Sequence, residues 1–150
     1  MAAAEAGARV RAMTLADYEG VAALLAGTAG VRLRGADSRA GIAKYLARNP
    51  GHSFVAEEGG RVVGCLLGGH DGRRGYLYHL AVAPEARRRG TGSALVARTL
   101  DALRAAGIEK VHADVLPENE AGLAFWLRRG WQRRDDILRM SWVSPDNPNA

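Results

Sequence analysis

The sequence predicts a single mixed α/β domain in which about four helices flank a mostly antiparallel sheet. Turn signals at 58–60 and 71–72 separate runs of alternating apolar residues, a pattern typical of two successive β-hairpins. The segment 75–115 has the pattern strand, helix, strand, and the helix gives a crossover long enough for the two strands to pair in parallel. At 150 residues, the chain has the usual length of one domain.

The domain is expected to span residues 8–143, between a disordered start at 1–7 and a loose, proline-containing tail at 144–150. The elements are predicted in this order: strand 8–12, helices 15–26 and 37–48, strands 52–57, 61–69 and 74–82, helix 91–106, strand 109–115, helix 119–129, and strands around 131–134 and 137–143. In the helix at 91–106, Leu95 and Val96 belong to an apolar stripe, and Gly107 supplies a left-handed end.

The composition is that of an ordinary globular protein with a strong positive charge. The net charge is +5 and the pI about 10.0, almost wholly from arginine. This balance favours an anionic ligand, a nucleic acid or an acidic partner, although a genomic bias toward arginine explains it equally well. No apolar run approaches the roughly 18 residues of a membrane span. The start lacks the basic region of a signal peptide, and Cys65 is alone, so we expect a cytoplasmic protein.

The turn between the strand at 74–82 and the following helix has the chemistry of a pyrophosphate site. It consists of Arg87, Arg88, Arg89, Gly90, Thr91 and Gly92. Free backbone N–H groups and the helix dipole meet the arginine charges there, and glycine lets the backbone approach a phosphate closely. Thr91 and Ser93 add hydroxyl donors. The turn matches neither a Walker loop nor a dinucleotide fingerprint; a basic turn that merely caps a surface helix is the alternative.

Together with two neighbouring segments, this turn resembles the acetyl-CoA loop of the GNAT superfamily of N-acyltransferases. The preceding strand contains Leu80, Ala81 and Val82, and the segment 119–131 has an Asn before a helix and an aromatic pair before Gly-aromatic. The hairpin at 68–75 is similar to that of small bacterial members of the YpeA type. The resemblance implies the GNAT fold, with a splayed parallel strand pair, and acetyl-CoA as co-substrate without a metal. It also implies that Leu80 to Val82 and Asn119 contact the pantetheine arm.

The resemblance is less definite about catalysis. Some relatives carry a carboxylate at the spacing of Asp114, which is therefore the predicted base; an ordinary polar residue at a strand end is the alternative. Trp126 stands where many members have a Tyr that protonates the thiolate; an indole cannot do this but could pack against the pantetheine. Tyr76 and Tyr78 are stand-ins on one strand face. For His79 and His112, we prefer a structural role.

The predicted activity is acetyl transfer from acetyl-CoA to a primary amine, directly and in a ternary complex. A catalytically impaired CoA-binding protein is one alternative, and a basic nucleic-acid-binding protein is a less favoured one, because no nucleic-acid motif is present. The acceptor is open. Arg32, Arg34 and Arg39 in the rim at 27–41 hint at a carboxylate or phosphate on it, although we slightly favour a solvated loop. Nucleic acid is expected only as part of a substrate. Many members dimerise through their late strands, so a homodimer is compatible with the resemblance.

Overall fold

A five-stranded mixed sheet organises the chain, in a computed structural model that describes residues 7–150. The strands lie in the order β1-β2-β3-β4-β5 and are β1 (Arg9–Ala12), β2 (Phe54–Glu58), β3 (Arg61–His70), β4 (Gly75–Val82) and β5 (Val111–Ala113). Neighbours are antiparallel except for β4 and β5, which pair in parallel. The predicted fold class, both hairpins and the parallel pair are confirmed.

Four α-helices complete the fold in the described part of the chain: α1 (Tyr18–Ala26), α2 (Arg39–Arg48), α3 (Thr91–Ala105) and α4 (Glu120–Arg128). Short 3-10 turns at 15–17, 35–37 and 84–86 precede α1, α2 and α3. The starts of α2 and α4 are capped by side chains, because Ser38 accepts from the Gly41 N–H at 3.1 Å and Asn119 from the Gly122 N–H at 3.0 Å. Gly107 follows α3 with a φ of 83°, as its left-handed role predicted.

The two faces of the sheet bury separate apolar clusters. On one face, Leu66 of β3 packs with Leu95 and Leu103 of α3. On the other, Val21 of α1 and Ile42 of α2 pack over the opposite side of β2 and β3. Cys65 belongs to this second cluster and is fully buried. Both faces of the central strands are thus covered by helices, and the candidate functional site lies next to the parallel pair β4–β5.

The prediction of two late strands, around 131–134 and 137–143, is wrong. The structure has no strand in 131–143, and β5 is shorter than the predicted 109–115. Alternation alone does not make a strand, because a strand also needs a ladder partner and a face to bury. Here Leu138 and Met140 are each 89% exposed, so their apolar side chains reach no core. The adjacent charges pair locally instead, as in the contact of Arg133 with Asp135 at 2.8 Å.

The two ends of the chain flank the predicted domain. The start at 1–7 was predicted to be disordered, but residues 1–6 lie outside the described residues. The predicted disorder and the domain bounds 8–143 therefore stay predictions. The tail at 144–150 forms turns, and the Asn149 carbonyl accepts from the Gly35 N–H at 2.8 Å. Within residues 7–150, no helix combines the length and apolar character that a membrane crossing requires. The same residues contain no cluster of three or more metal-ligating side chains.

Candidate acyl-CoA site

A cavity of about 800 Å³ opens where β4 and β5 diverge. The two strands pair only over 75–77 and 111–113, although β4 continues to Val82. Beyond the paired stretch, Leu80, Ala81 and Val82 line one wall of the cavity, and Asp114 and the residue on either side of it line the other. The volume lies within the range of small-molecule sites, roughly 300–1,000 Å³. The early end of the parallel pairing therefore makes the cavity.

A bulge in β4 shapes the wall that this strand contributes. Cys65 of β3 faces Ala81, but Leu67 faces Tyr78, so β4 contains one more residue than β3 over this stretch. His79 lies in the bulge with a φ of 55°, the left-handed region that a residue with a side chain rarely adopts. Its carbonyl accepts from the Cys65 thiol at 3.4 Å. His79 is one of the residues that line the cavity.

The arginine–glycine turn closes one end of the cavity. Arg88 and Gly90 both have left-handed backbones, with φ of 63° and 76°, and Gly90 immediately precedes α3. This geometry presents the free N–H groups of the first turn of α3 to the cavity, which is lined by Arg87, Arg88, Gly90, Thr91, Gly92 and Ser93. Arg87 is oriented by the end of β4, since its Nε donates to the Val82 carbonyl at 3.0 Å. The structure thus brings all but one of the turn residues predicted for pyrophosphate to one place.

Arg89 is the turn residue that lies elsewhere. Its guanidinium pairs with Glu58 of β2 at 3.1 Å, and it does not line the cavity. Two arginines that sequence reasoning missed, Arg128 and Arg129, line the same end of the cavity from the C-terminal end of α4. Arg129 donates to the Ser93 hydroxyl, from Nε at 3.1 Å and also from its terminal nitrogen, so this hydroxyl already has a partner. The signal available in the sequence was the paired arginines at the end of the helix that Asn119 begins.

Helix α4 forms a further side of the cavity, from Asn119 to Arg129. Asn119 lies at its mouth, where its side-chain amide contacts Gly30 of the α1–α2 loop. Trp126 lines the cavity but is only 9% exposed, with its ring 5.2 Å from Phe125 and 4.5 Å from Trp131 between centroids. The predicted packing position of Trp126 is therefore compatible with the geometry, whereas its indole remains unsuited to proton transfer.

The predicted catalytic residues lie together on one face of the sheet. The rings of Tyr76 and Tyr78 stack with centroids 6.3 Å apart, and Tyr76 pairs in register with His112 of β5. Burial, and then the negative charge of Asp114, raise the pKa of the Tyr78 phenol. The Asp114 carboxylate is itself paired with Arg139 at 3.1 Å. Asp114 lines the cavity, whereas the two tyrosines lie outside its lining.

His112 and two of the three rim arginines contact other side chains, whereas the Arg34 guanidinium donates to the neighbouring Leu33 carbonyl at 3.3 Å. His112 lies 5.8 Å from the Tyr76 ring, and burial together with nearby cations lowers its pKa. In the rim, Arg32 pairs with Glu118 at 3.2 Å and Arg39 with Glu19 at 3.5 Å. These pairs are exposed and therefore weak, but they place carboxylates where an anionic acceptor had been predicted.

The splayed parallel strands, the cavity between them and the cationic turn at a helix start are the features that the sequence resemblance implied. Residues 14–131 match the model of the acetyltransferase (GNAT) family. The chain belongs to this family and is a GNAT-type acyltransferase, as the sequence resemblance predicted.

Known relatives agree with this assignment. An acetyltransferase of Sodalis glossinidius (strain morsitans) is 35% identical over 102 residues, which cover 68% of this chain and 72% of that protein. The PaiA N-acetyltransferase of Thermoplasma acidophilum, solved in complex with coenzyme A, superposes on 86% of this chain and 92% of its own with a TM-score of 0.75 and 16% identity. The structure of AAC(6')-Iy with the bisubstrate analogue CoA-S-monomethyl-acetylneamine covers 91% of this chain and 98% of its own, with a TM-score of 0.71 and 19% identity. At such identities, the two solved structures show the fold.

Proposed function

We propose that this protein transfers the acetyl group of acetyl-CoA to a primary amine, directly and in a ternary complex. The observation that carries the proposal is the continuity of the cavity. It runs from the cationic turn at one end, between β4 and β5, to the α1–α2 loop at 28–31. A pyrophosphate, a pantetheine arm and an amine acceptor can therefore occupy successive parts of one site, so that a thioester and an amine meet without a covalent enzyme intermediate.

In this proposal, the pyrophosphate lies on the N-terminal turn of α3. Backbone N–H groups of 90–93 donate to it, and Arg87, Arg88, Arg128 and Arg129 surround it with positive charge. Arg89 contributes through its pair with Glu58, which fixes the turn to β2. The Thr91 hydroxyl donates to the Ala86 carbonyl at 3.4 Å, and the Ser93 hydroxyl is shared with Arg129. Backbone donors therefore dominate the proposed phosphate contacts.

The pantetheine arm and the thioester follow β4. Main-chain groups of Leu80, Ala81 and Val82 on the side facing the splay bind the arm, together with Asn119 and the Trp126 ring. An N–H of this stretch holds the thioester oxygen as negative charge develops on it. The short β4–β5 pairing supports this assignment, because the main-chain groups of 80–82 that face β5 have no strand beside them and are available to a ligand.

The proton transfers involve the polar face next to the thioester position. We assign the protonation of the departing thiolate to Tyr78, which stacks with Tyr76 on the sheet face that also carries Asp114 of the cavity wall. Asp114 is the base predicted from the sequence. Asp114 lines the cavity, and its carboxylate is paired with Arg139. The acceptor amine approaches from the α1–α2 loop.

Calorimetric titration with coenzyme A and acetyl-CoA tests the cofactor assignment. A glutamate at Gly90 places a negative side chain in the turn, and Arg129→Ala removes one of the missed arginines; both variants should bind more weakly than the wild type. Arg133→Ala is the matched control, because its guanidinium pairs with Asp135 outside the cavity. Equal affinity in all four proteins would place the cofactor elsewhere. An amine panel with acetyl-CoA then tests turnover.

A second candidate function is binding of an acyl-CoA without turnover. The buried indole of Trp126 favours it, since the site has no acidic group at that position. The two functions differ in one observation. Tight binding of acetyl-CoA with no thiol release in the presence of amines, peptides or aminoglycosides would support the binding protein and refute the transferase.

A further inference from the structure

His79 and Asp37 form a pair at the acceptor end of the cavity. Nε2 of His79 lies 2.7 Å from Oδ1 of Asp37, and the two side chains are 19% and 12% exposed. His79 lines the cavity from the β4 bulge, whereas Asp37 belongs to the 3-10 turn that precedes α2. The pair therefore connects the acceptor loop to the strand along which we place the thioester.

Asp37 is held in place by contacts other than His79. Its second carboxylate oxygen accepts from the Arg34 N–H at 2.8 Å, and its carbonyl accepts from the Tyr18 hydroxyl at 3.1 Å. A carboxylate fixed in this way sets the tautomer of its histidine, with the proton on Nε2 and a lone pair on Nδ1. Within residues 7–150, Nδ1 of His79 has no hydrogen-bond partner.

The backbone of His79 is a second, independent sign of a functional constraint. Its φ of 55° is strained in a residue with a side chain, and such strain concentrates at functional sites. The conformation occurs at the bulge, where β4 departs from regular strand geometry.

We infer that His79, oriented by Asp37, takes the proton from the acceptor amine. This inference rests on the proposed transferase function. The acceptor enters as an ammonium ion and gives one proton to Nδ1 of His79. Its nitrogen then bonds to the thioester carbonyl carbon, and the C–S bond breaks as the adduct collapses. Tyr78 gives its proton to the departing thiolate, which leaves as coenzyme A thiol, and the second proton of the nitrogen restores the Tyr78 phenol. His79 returns its proton to water.

The geometry favours His79 over Asp114 for this step. The Asp114 carboxylate is 57% exposed and paired with Arg139, so a cation competes with the incoming ammonium ion for it. His79 instead has a carboxylate behind it, which stabilises the imidazolium as it forms. Asp37 is thus a positioning residue, and it acts on the reaction only through His79.

The test replaces His79 by glycine and adds imidazole to the assay. Glycine suits a φ of 55°, so this variant keeps its backbone while it opens a hole in the cavity wall. We expect kcat to fall about 100-fold, with coenzyme A affinity and thermal stability close to those of the wild type. Imidazole should restore part of kcat in proportion to its concentration, and Asp37→Asn should lower kcat without such rescue.

Two controls make the result specific. His112→Gln changes a histidine of β5 outside the cavity lining and should leave kcat unchanged. Imidazole should not accelerate Asp114→Asn. Full activity of His79→Gly, or a loss that imidazole does not restore, overturns the role of His79 while leaving the transferase function standing. A wild type that binds no coenzyme A and acetylates no amine overturns the transferase function itself.

Discussion

Gly30→Ala is the substitution whose cost follows most directly from the structure. Gly30 has a φ of 81°, and a Cβ there would lie 2.7 Å from Nδ2 of Asn119. A left-handed alanine costs about 1–2 kcal/mol. The Asn119 amide can move away only by giving up its bond to the Gly122 N–H at the start of α4, and loss of such a cap costs about 1 kcal/mol. The expected total is about 2–3 kcal/mol.

Gly51→Ala isolates the backbone part of this cost. Gly51 has a similar φ of 76°, but an added Cβ meets nothing within 4 Å. Gly51→Ala should therefore lower the free energy of unfolding by the strain alone, about 1–2 kcal/mol. In thermal unfolding, the two variants should differ by about 2–4 °C in Tm, because 1 kcal/mol shifts Tm by that amount in a domain of this size.

A double-mutant cycle tests the assigned contact. Asn119→Ala alone should cost about 1 kcal/mol. Added to Gly30→Ala, it should cost almost nothing more, because the clash and the cap disappear together. Equal Tm values for Gly30→Ala and Gly51→Ala, or additive effects of Gly30→Ala and Asn119→Ala, would refute the reasoning. Gly30 and Asn119 both line the cavity, and Gly51 does not. Gly30→Ala should therefore also weaken coenzyme A binding, whereas Gly51→Ala should not.

Three further predictions concern stability and reactivity. Hydrogen bonds from Arg11 hold the pKa of Asp17 in the folded protein below its usual 3.8. The pair therefore stabilises the fold above pH 3.8, and this contribution is lost as the pH falls through the lower, folded-state pKa. Asp17→Asn should flatten the loss of Tm between about pH 5 and pH 3. Leu103→Ala empties a fully buried position and should cost about 2–5 kcal/mol in denaturant unfolding, whereas Leu127→Ala, at a 48% exposed position, should cost far less. Burial raises the pKa of Cys65 to about 12, so its thiol should react with an aromatic disulfide reagent only after unfolding, and fast labelling of the native protein would contradict its burial.

Local patterns in the sequence predicted much of the fold. The hairpins at 58–60 and 71–72 and the helix ended by Gly107 depend on turn and capping chemistry between near neighbours, and the structure has each of them. The late strands failed because their formation depends on a ladder partner far away in the chain. Residues 137–143 alternate as a strand should, but alternation does not show whether β5 extends far enough to pair with them.

The candidate site divides in the same way. The turn at 87–92 was found because its backbone donors and glycines are contiguous in the sequence. Arg129 was missed, since it reaches the turn only through the packing of α4 against the start of α3. His79 and Asp37 are 42 positions apart in the sequence, so their contact depends on tertiary packing. His79 also lies in a bulge of β4, which no sequence pattern predicted. Contacts made by tertiary packing therefore separate what the sequence predicts from what it leaves open.

The short pairing of β4 with β5 also sets the rate at which individual amide protons exchange with solvent. In 75–77, β4 amides lie between two neighbouring strands, but in 78–82 those that point away from β3 have no strand beside them. Protection against exchange should therefore change abruptly within one continuous strand. A molecule bound between β4 and β5 would slow exchange only at these amides. The exchange rate of each amide therefore shows whether the neighbouring part of the cavity is occupied.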